Sequence, residues 1–230
     1  MKLDCLNHAI KPFSLKIMVL LVCLLISGGA ISCQHLERIT PKVSNFIDCR
    51  LGYAIGYNNE LRSAEWVAYK LVRETSPGVE RQNDFREDPE ILEPFRTRPS
   101  DYNEPTYDMG HLANSESIDN TRVENSETFL MSNITPQLPG FNRAIWKGLE
   151  NKERRLAERY GQVLVLTGPI YIAPFQYIGR APIPTAFFKV IYFNETVEAY
   201  LIPHQALRTN QLQSYKVPVS TIKAITRLDL

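Results

Sequence analysis

The chain has 230 residues, 44% hydrophobic and 22% charged, an ordinary globular composition that suits one domain with a real core. A formal net charge of +1 excludes a uniformly basic surface. Any groove for a polyanion must therefore be local and balanced by acidic surface elsewhere.

Lys2, Lys11 and Lys16 precede an apolar run from Ile17 to Ile26, followed by Ser27, Gly28, Gly29 and Ala30. A positive start, an apolar core of roughly 7–15 residues and a small-residue exit predict a secretory signal over residues 1–32. The run falls short of the ~18–20 residues of a membrane span, with an uncleaved anchor as the alternative. Ala30-Ile31-Ser32 suits a signal peptidase, and the same segment faintly resembles a lipobox that would lipidate Cys33. The expected location is secreted or periplasmic. Membrane attachment is expected only through a lipidated Cys33 or an uncleaved signal.

Cys5 and Cys23 leave with the signal. In an oxidising compartment Cys33 and Cys49 form one disulfide, stabilising the domain by ~3 kcal/mol through loop entropy. If Cys33 is lipidated, Cys49 remains a lone thiol. Neither has the spacing of a zinc ligand.

Residues 33–48 read as a leader, and 49–230 as the functional domain. Tyr53, Ile55 and Tyr57 alternate, and Trp66 to Val72 is rich in strand formers. Residues 75–107 carry prolines at 77, 89, 94, 99 and 105 with many charges, a long loop of the kind that is functional inside a domain. Phe129 to Ile134 reads as a short strand. After Pro139-Gly140, residues 141–160 read as a helix with Phe141, Ile145, Leu149 and Leu156 near one face, stopped by Gly161. Strands follow at Val163–Leu166, Ala186–Phe193 and Val197–Ile202, with a short helix after Ser220. Strands on both sides of a central helix make the fold α+β, with a mostly antiparallel sheet.

The chemistry concentrates between Asp108 and Glu150. Histidine suits proton removal near neutral pH, with an ordinary pKa near ~6.5. Of four histidines, His8 leaves with the signal, His35 sits in the leader and His204 follows a proline after a strand. His111 is set in a tight loop just after Gly110. Asn142 offers a neutral, hard oxygen suited to magnesium or manganese, although an Asn at a helix start is most often a cap. Eight helical residues separate Asn142 from Glu150, a rise of about 12 Å and a rotation of about 80° beyond two turns. Both side chains therefore cannot grip one ion directly. Glu150 is expected to orient water near it, or merely to pair with Arg154.

Asp108-Met-Gly-His111, Asn133-Ile-Thr-Pro-Gln137, Asn142, Trp146 and Glu150, in this order and spacing, resemble the DNA/RNA non-specific endonucleases, the ββα-metal group. The likeness extends through Gly52-Tyr-Ala-Ile-Gly-Tyr-Asn58, Glu65-Trp-Val-Ala-Tyr-Lys70, Val165-Leu-Thr-Gly-Pro169 and Pro184-Thr-Ala-Phe-Phe-Lys189. It implies a ββα-metal fold with helices packed on a mostly antiparallel central sheet. His111 would be the base, Asn142 the Mg2+ ligand (Mn2+ as a substitute), Glu150 the helix glutamate, Asn133 a support near the histidine and Arg81 the phosphate contact. DNA and RNA would be gripped through backbone phosphates, with a homodimer among the options for assembly.

Two positions depart from the family pattern. Met109 stands where the family carries arginine, which removes five fixed donors and a permanent charge, and Arg122 or Arg143 is the candidate replacement. Arg227 stands where glycine is usual, a change that concerns the fold. The expected function is an extracytoplasmic, metal-dependent endonuclease with little sequence preference. The rival is an envelope protein on the same fold that binds nucleic acid with weakened catalysis.

Overall fold

A computed structural model describes residues 33–73 and 78–230. In chain order its strands are β1 (Phe46–Cys49), β2 (Tyr53–Asn58), β3 (Ser63–Val72), β4 (Asp108–His111), β5 (Ile134–Gln137), β6 (Gln162–Ile170), β7 (Tyr177–Ile178), β8 (Ala181–Pro182), β9 (Ala186–Phe193), β10 (Thr196–Pro203) and β11 (Lys216–Val217). The α-helices are α1 (Arg122–Glu127), α2 (Lys147–Tyr160) and α3 (Val219–Thr226). Seven strands form one antiparallel sheet in the order β1-β2-β3-β6-β9-β10-β11, while β4 pairs with β5 and β7 with β8 in two small ribbons. The expected α+β class with a mostly antiparallel sheet is the architecture found.

Successive side chains of a strand point to opposite faces, and β3 shows how both faces are buried. Val67, Tyr69 and Leu71 join one core cluster, Trp66 and Ala68 another. The first cluster meets α2 through Leu149 and Ala157, and the turn just before it through Trp146. The second meets Ile222 of α3 together with Leu36 and Ile39.

Residues 33–48 do not stand ahead of the domain as a leader. A 3-10 turn over Gln34–Leu36 and the three-residue spacing of Leu36 and Ile39 turn both side chains onto the sheet, and Phe46–Cys49 supplies its edge strand. Cys33 is disulfide-bonded to Cys49. A sulfur so engaged has no thiol left for a lipid, so the structure favours the disulfide over the lipidated alternative. The expected signal, 1–32, lies outside the described residues. No described helix is long and apolar enough to cross a membrane.

Three local readings change. Phe129–Ile134 is not a strand: Met131–Asn133 is a 3-10 turn, and the strand starts at Ile134. Asp108–His111 is a strand and not a tight loop. Gly110 is required there for space, because a Cβ would sit 2.2 Å from the Gln137 side chain on the partner strand. The helix over 141–160 begins as a π-helical turn, Phe141–Trp146, before α2, and ends at Gly161 with φ +88°. The loop before β4 holds two 3-10 turns, Glu93–Phe95 and Pro99–Tyr102. It is tied down by the buried Arg50, whose NH2 group donates to both Asp88 oxygens at 2.8 and 2.7 Å.

Candidate active site

The β4–β5 ribbon, the π-helical turn with the start of α2, and the loop around Arg81 enclose a cleft of about 330 Å³. It is lined by Arg81, Met109, His111, Asn114, Glu116, Asn142, Arg143, Lys147 and Glu150. Cavities of about 490 and 550 Å³ lie elsewhere without a histidine, so chemistry and not size picks out the site.

His111 ends β4 opposite Ile134 and is 7% exposed. Its ring sits edge-on to Phe129, centroids 4.9 Å apart, with Phe85 at 5.6 Å. Its Nε2 makes no hydrogen bond within the protein. Burial, with the nearby Arg81 charge second, lowers its pKa from the ordinary value to about 3. The imidazole is therefore neutral at physiological pH, the state that can accept a proton. Its backbone carbonyl accepts from the Trp146 indole N–H at 3.3 Å, joining the ribbon to the helix.

Asn133 does not line the cleft. Fully buried, it accepts from the Ala113 N–H at 2.9 Å and donates to the carbonyls of Ala113 (2.9 Å) and Thr128 (2.8 Å). It pins the backbone just beyond His111 and acts through that backbone.

Arg81 lies half-buried, with its guanidinium carbon 4.8 Å from the centre of the Phe129 ring. Nε donates to Asn83 at 2.7 Å and NH1 to Ser115 at 2.6 Å. Packing and these bonds aim its fork into the cleft beside His111.

Asn142 is not a helix cap. Gly140 holds that position without a side-chain bond, and Asn142 Nδ2 donates instead to Asp108 Oδ2 at 2.9 Å. A carboxylate only accepts, so the amide nitrogen is fixed toward Asp108 and the amide oxygen turned away from it. Arg143 forks onto the same carboxylate, Nε at 2.9 Å and NH2 at 2.6 Å. Among the described residues no group of three acidic, histidine or cysteine side chains could hold a metal. A cation here would rest on one oriented amide oxygen completed by water, a donor set suited to a hard divalent ion that keeps its waters.

Glu150 shares the cleft with Asn142 because the π-helical turn is wider than an α turn, so it advances fewer degrees per residue and narrows the lag expected of a regular helix. Glu150 is 5% exposed, and burial pushes its pKa up to about 7, opposed by Lys189 and by a hydrogen bond with Asn114. The alternative, a Glu150–Arg154 pair, is not what the structure shows: Arg154 bridges to Glu116 at 3.0 Å.

Met109 lines the cleft and packs on the apolar cluster of Tyr102, Met131, Ile134, Ile178 and Ala181. Of its candidate replacements, Arg122 is exposed at the start of α1, away from the cleft lining. Arg143 reaches the lining while bound to Asp108. Sequence reasoning gave no role to Asp108, Asn114, Glu116 or Lys147. Asp108 opens the motif that carries His111, and that position was the available signal.

Residues 37–230 match the family described as DNA/RNA non-specific endonuclease. A nuclease of Nostoc sp. is 31% identical over 206 residues, covering 84% of this chain and 74% of that protein. Human mitochondrial endonuclease G is 30% identical over 199 residues, covering 78% and 67%. A solved structure of EndoG bound to EndoGI, described as showing the mechanism of EndoG inhibition, superposes with a TM-score of 0.78 at 27% identity. It covers 86% of this chain and 90% of that one.

Proposed function

Because the chain belongs to the DNA/RNA non-specific endonuclease family, a family of metal-dependent nucleases, we propose that this cleft hydrolyses DNA and RNA phosphodiesters with magnesium, or manganese in its place, outside the cytoplasm. The observation that carries this reading is the convergence of Arg81, His111, Asn142 and Glu150 on one cleft.

The neutral His111 imidazole takes the proton of the attacking water. Arg81, held by Ser115, Asn83 and the Phe129 ring, presents a fixed fork to the phosphate. The Asn142 amide oxygen, oriented by Asp108, would hold the divalent cation. When bound, that ion supplies Lewis-acid stabilisation of charge developing on phosphorus oxygens and the leaving group. Glu150 orients water from the other side of the cleft, and Asn133 keeps the backbone beyond His111 in place. Arg143 and Lys147 at the mouth meet backbone phosphates and leave base edges unread, which predicts little sequence preference and strong salt sensitivity. The Cys33–Cys49 bond supports export, since such bonds persist in oxidising compartments.

Digestion of supercoiled plasmid and of RNA by the purified protein, with magnesium and with EDTA, tests this. Cleavage of both that EDTA abolishes is expected. DNA retained in a low-salt shift assay, with no magnesium-dependent cutting, would make the molecule a binding protein instead.

A further inference from the structure

Behind the cleft, Lys189 is the one fully buried lysine among the described residues. It lies mid-strand in β9, with Nζ 3.2 Å from Glu153 Oε2, and both side chains are shut off from solvent. Nζ also donates to the Tyr69 hydroxyl at 3.1 Å, which in turn donates to Glu153 at 3.0 Å. The same ammonium lies 4.6 Å from the centre of the Trp146 ring, whose N–H holds the His111 carbonyl. Glu150 and Glu153, three residues apart, share one face of α2, and both are buried. Glu153 thus pairs directly with the enclosed ammonium, and the same positive charge acts on Glu150 one helical turn away; a buried charge is costly unless it is paired.

We infer that Lys189 is a positioning residue for the cleft: its ammonium is the shared counter-ion that anchors Glu153 and keeps Glu150 available as a carboxylate facing His111 and Asn142. The inference rests on the reading of Glu150 given above. Glu150 is also faced by Arg154 on its own helix, by Arg81 and Asn114 from the loops and by Tyr69 from β3. Glu116 and Lys147 line the same cleft. Lys189 outweighs Glu153 among the charges acting on Glu150, so two substitutions move it in opposite directions. Glu153→Gln removes a competing carboxylate and leaves the ammonium in place. Lys189→Met combined with Glu153→Gln removes the buried pair as a neutral unit.

The test follows the Glu150 side-chain carboxyl by carbon-13 NMR titration of the purified, metal-free protein, alongside the pH dependence of plasmid cleavage. Glu153→Gln is expected to lower the Glu150 midpoint and the double variant to raise it, each by ~1 pH unit, with the acid limb of the cleavage profile following. Midpoints that stay at the wild-type value in both variants overturn the inference, leaving Lys189 a structural ion only. If the double variant fails to fold, Glu153→Gln decides alone: an unchanged or raised midpoint overturns it. Moved midpoints with an unmoved cleavage profile uphold Lys189 as the counter-ion and overturn the role given to Glu150.

Discussion

The two faces of the seven-stranded sheet are built from the same strands and bury different chemistry. On one face Leu36, Ile39, Trp66, Phe188, Val190 and Ile222 form an apolar layer tied by the Cys33–Cys49 bond. On the other, the core supports buried His111, Glu150, Glu153 and Lys189. Strand β9 carries the contrast residue by residue, with Phe188 and Val190 on the apolar face and Phe187, Lys189 and Ile191 on the other. Burying ionisable groups costs several kcal/mol each unless they are paired, so a fold keeps them where they act. Both faces stabilise the domain through apolar packing, and the charged face spends part of that stability on the site.

Substitutions on each face should therefore separate activity from stability. On the charged face His111→Ala is expected to lower plasmid cleavage at least ~10²-fold, the low end for loss of a general base, while circular dichroism still reports a folded protein. A near wild-type rate would remove His111 from its role. Asp108→Asn is expected to cost ~10–100-fold, the usual effect of losing a partner that orients a ligand. An Asn in place of the carboxylate can offer its own N–H, so the Asn142 amide is no longer held one way round. Cleavage at the wild-type rate would reduce Asp108 to a surface ion-pair partner of Arg143.

Phe188→Ala should do the reverse. Truncation in the packed apolar layer is expected to cost about 3–5 kcal/mol in denaturant unfolding, with cleavage per folded molecule retained. A large loss of rate at full folding would break the division between the faces. Smallest is the change at the cleft mouth. Lys147→Ala removes one phosphate contact and should make the slope of log affinity against log salt shallower by ~1, with a near-uniform loss across sequences. An unaltered slope would take Lys147 off the substrate path.

How much of this could be read from the sequence follows the same division. The sheet strands were legible because both faces are apolar and Val, Ile, Tyr and Phe crowd them. Ala186–Phe193 was placed at its observed bounds. β4 was not legible: Asp-Met-Gly-His has no strand propensity, and it pairs because Gly110 leaves room for Gln137. Residues 33–48 misled because Leu36 and Ile39 are isolated in a polar stretch, and only the sheet they cover reveals their purpose. Within the site, His111, Asn142 and Glu150 stood out through motif and spacing. The π-helical turn that brings the last two together leaves no mark in composition. Asp108 was visible as a motif residue, but its hold on Asn142 depends on a ribbon and a helix meeting across 34 residues of chain.

The most direct test of the charged face as a cation-dependent site is a magnesium titration of plasmid nicking by the wild type and by Asn142→Ala. Magnesium is expected to switch on the wild type from an EDTA-treated, inactive state, and Asn142→Ala to need at least ~10-fold more ion or to lose cleavage, with helix content nearly unchanged. Superimposable titration curves for the two proteins, at equal rates, would contradict the account and leave Asn142 a partner of Asp108 alone.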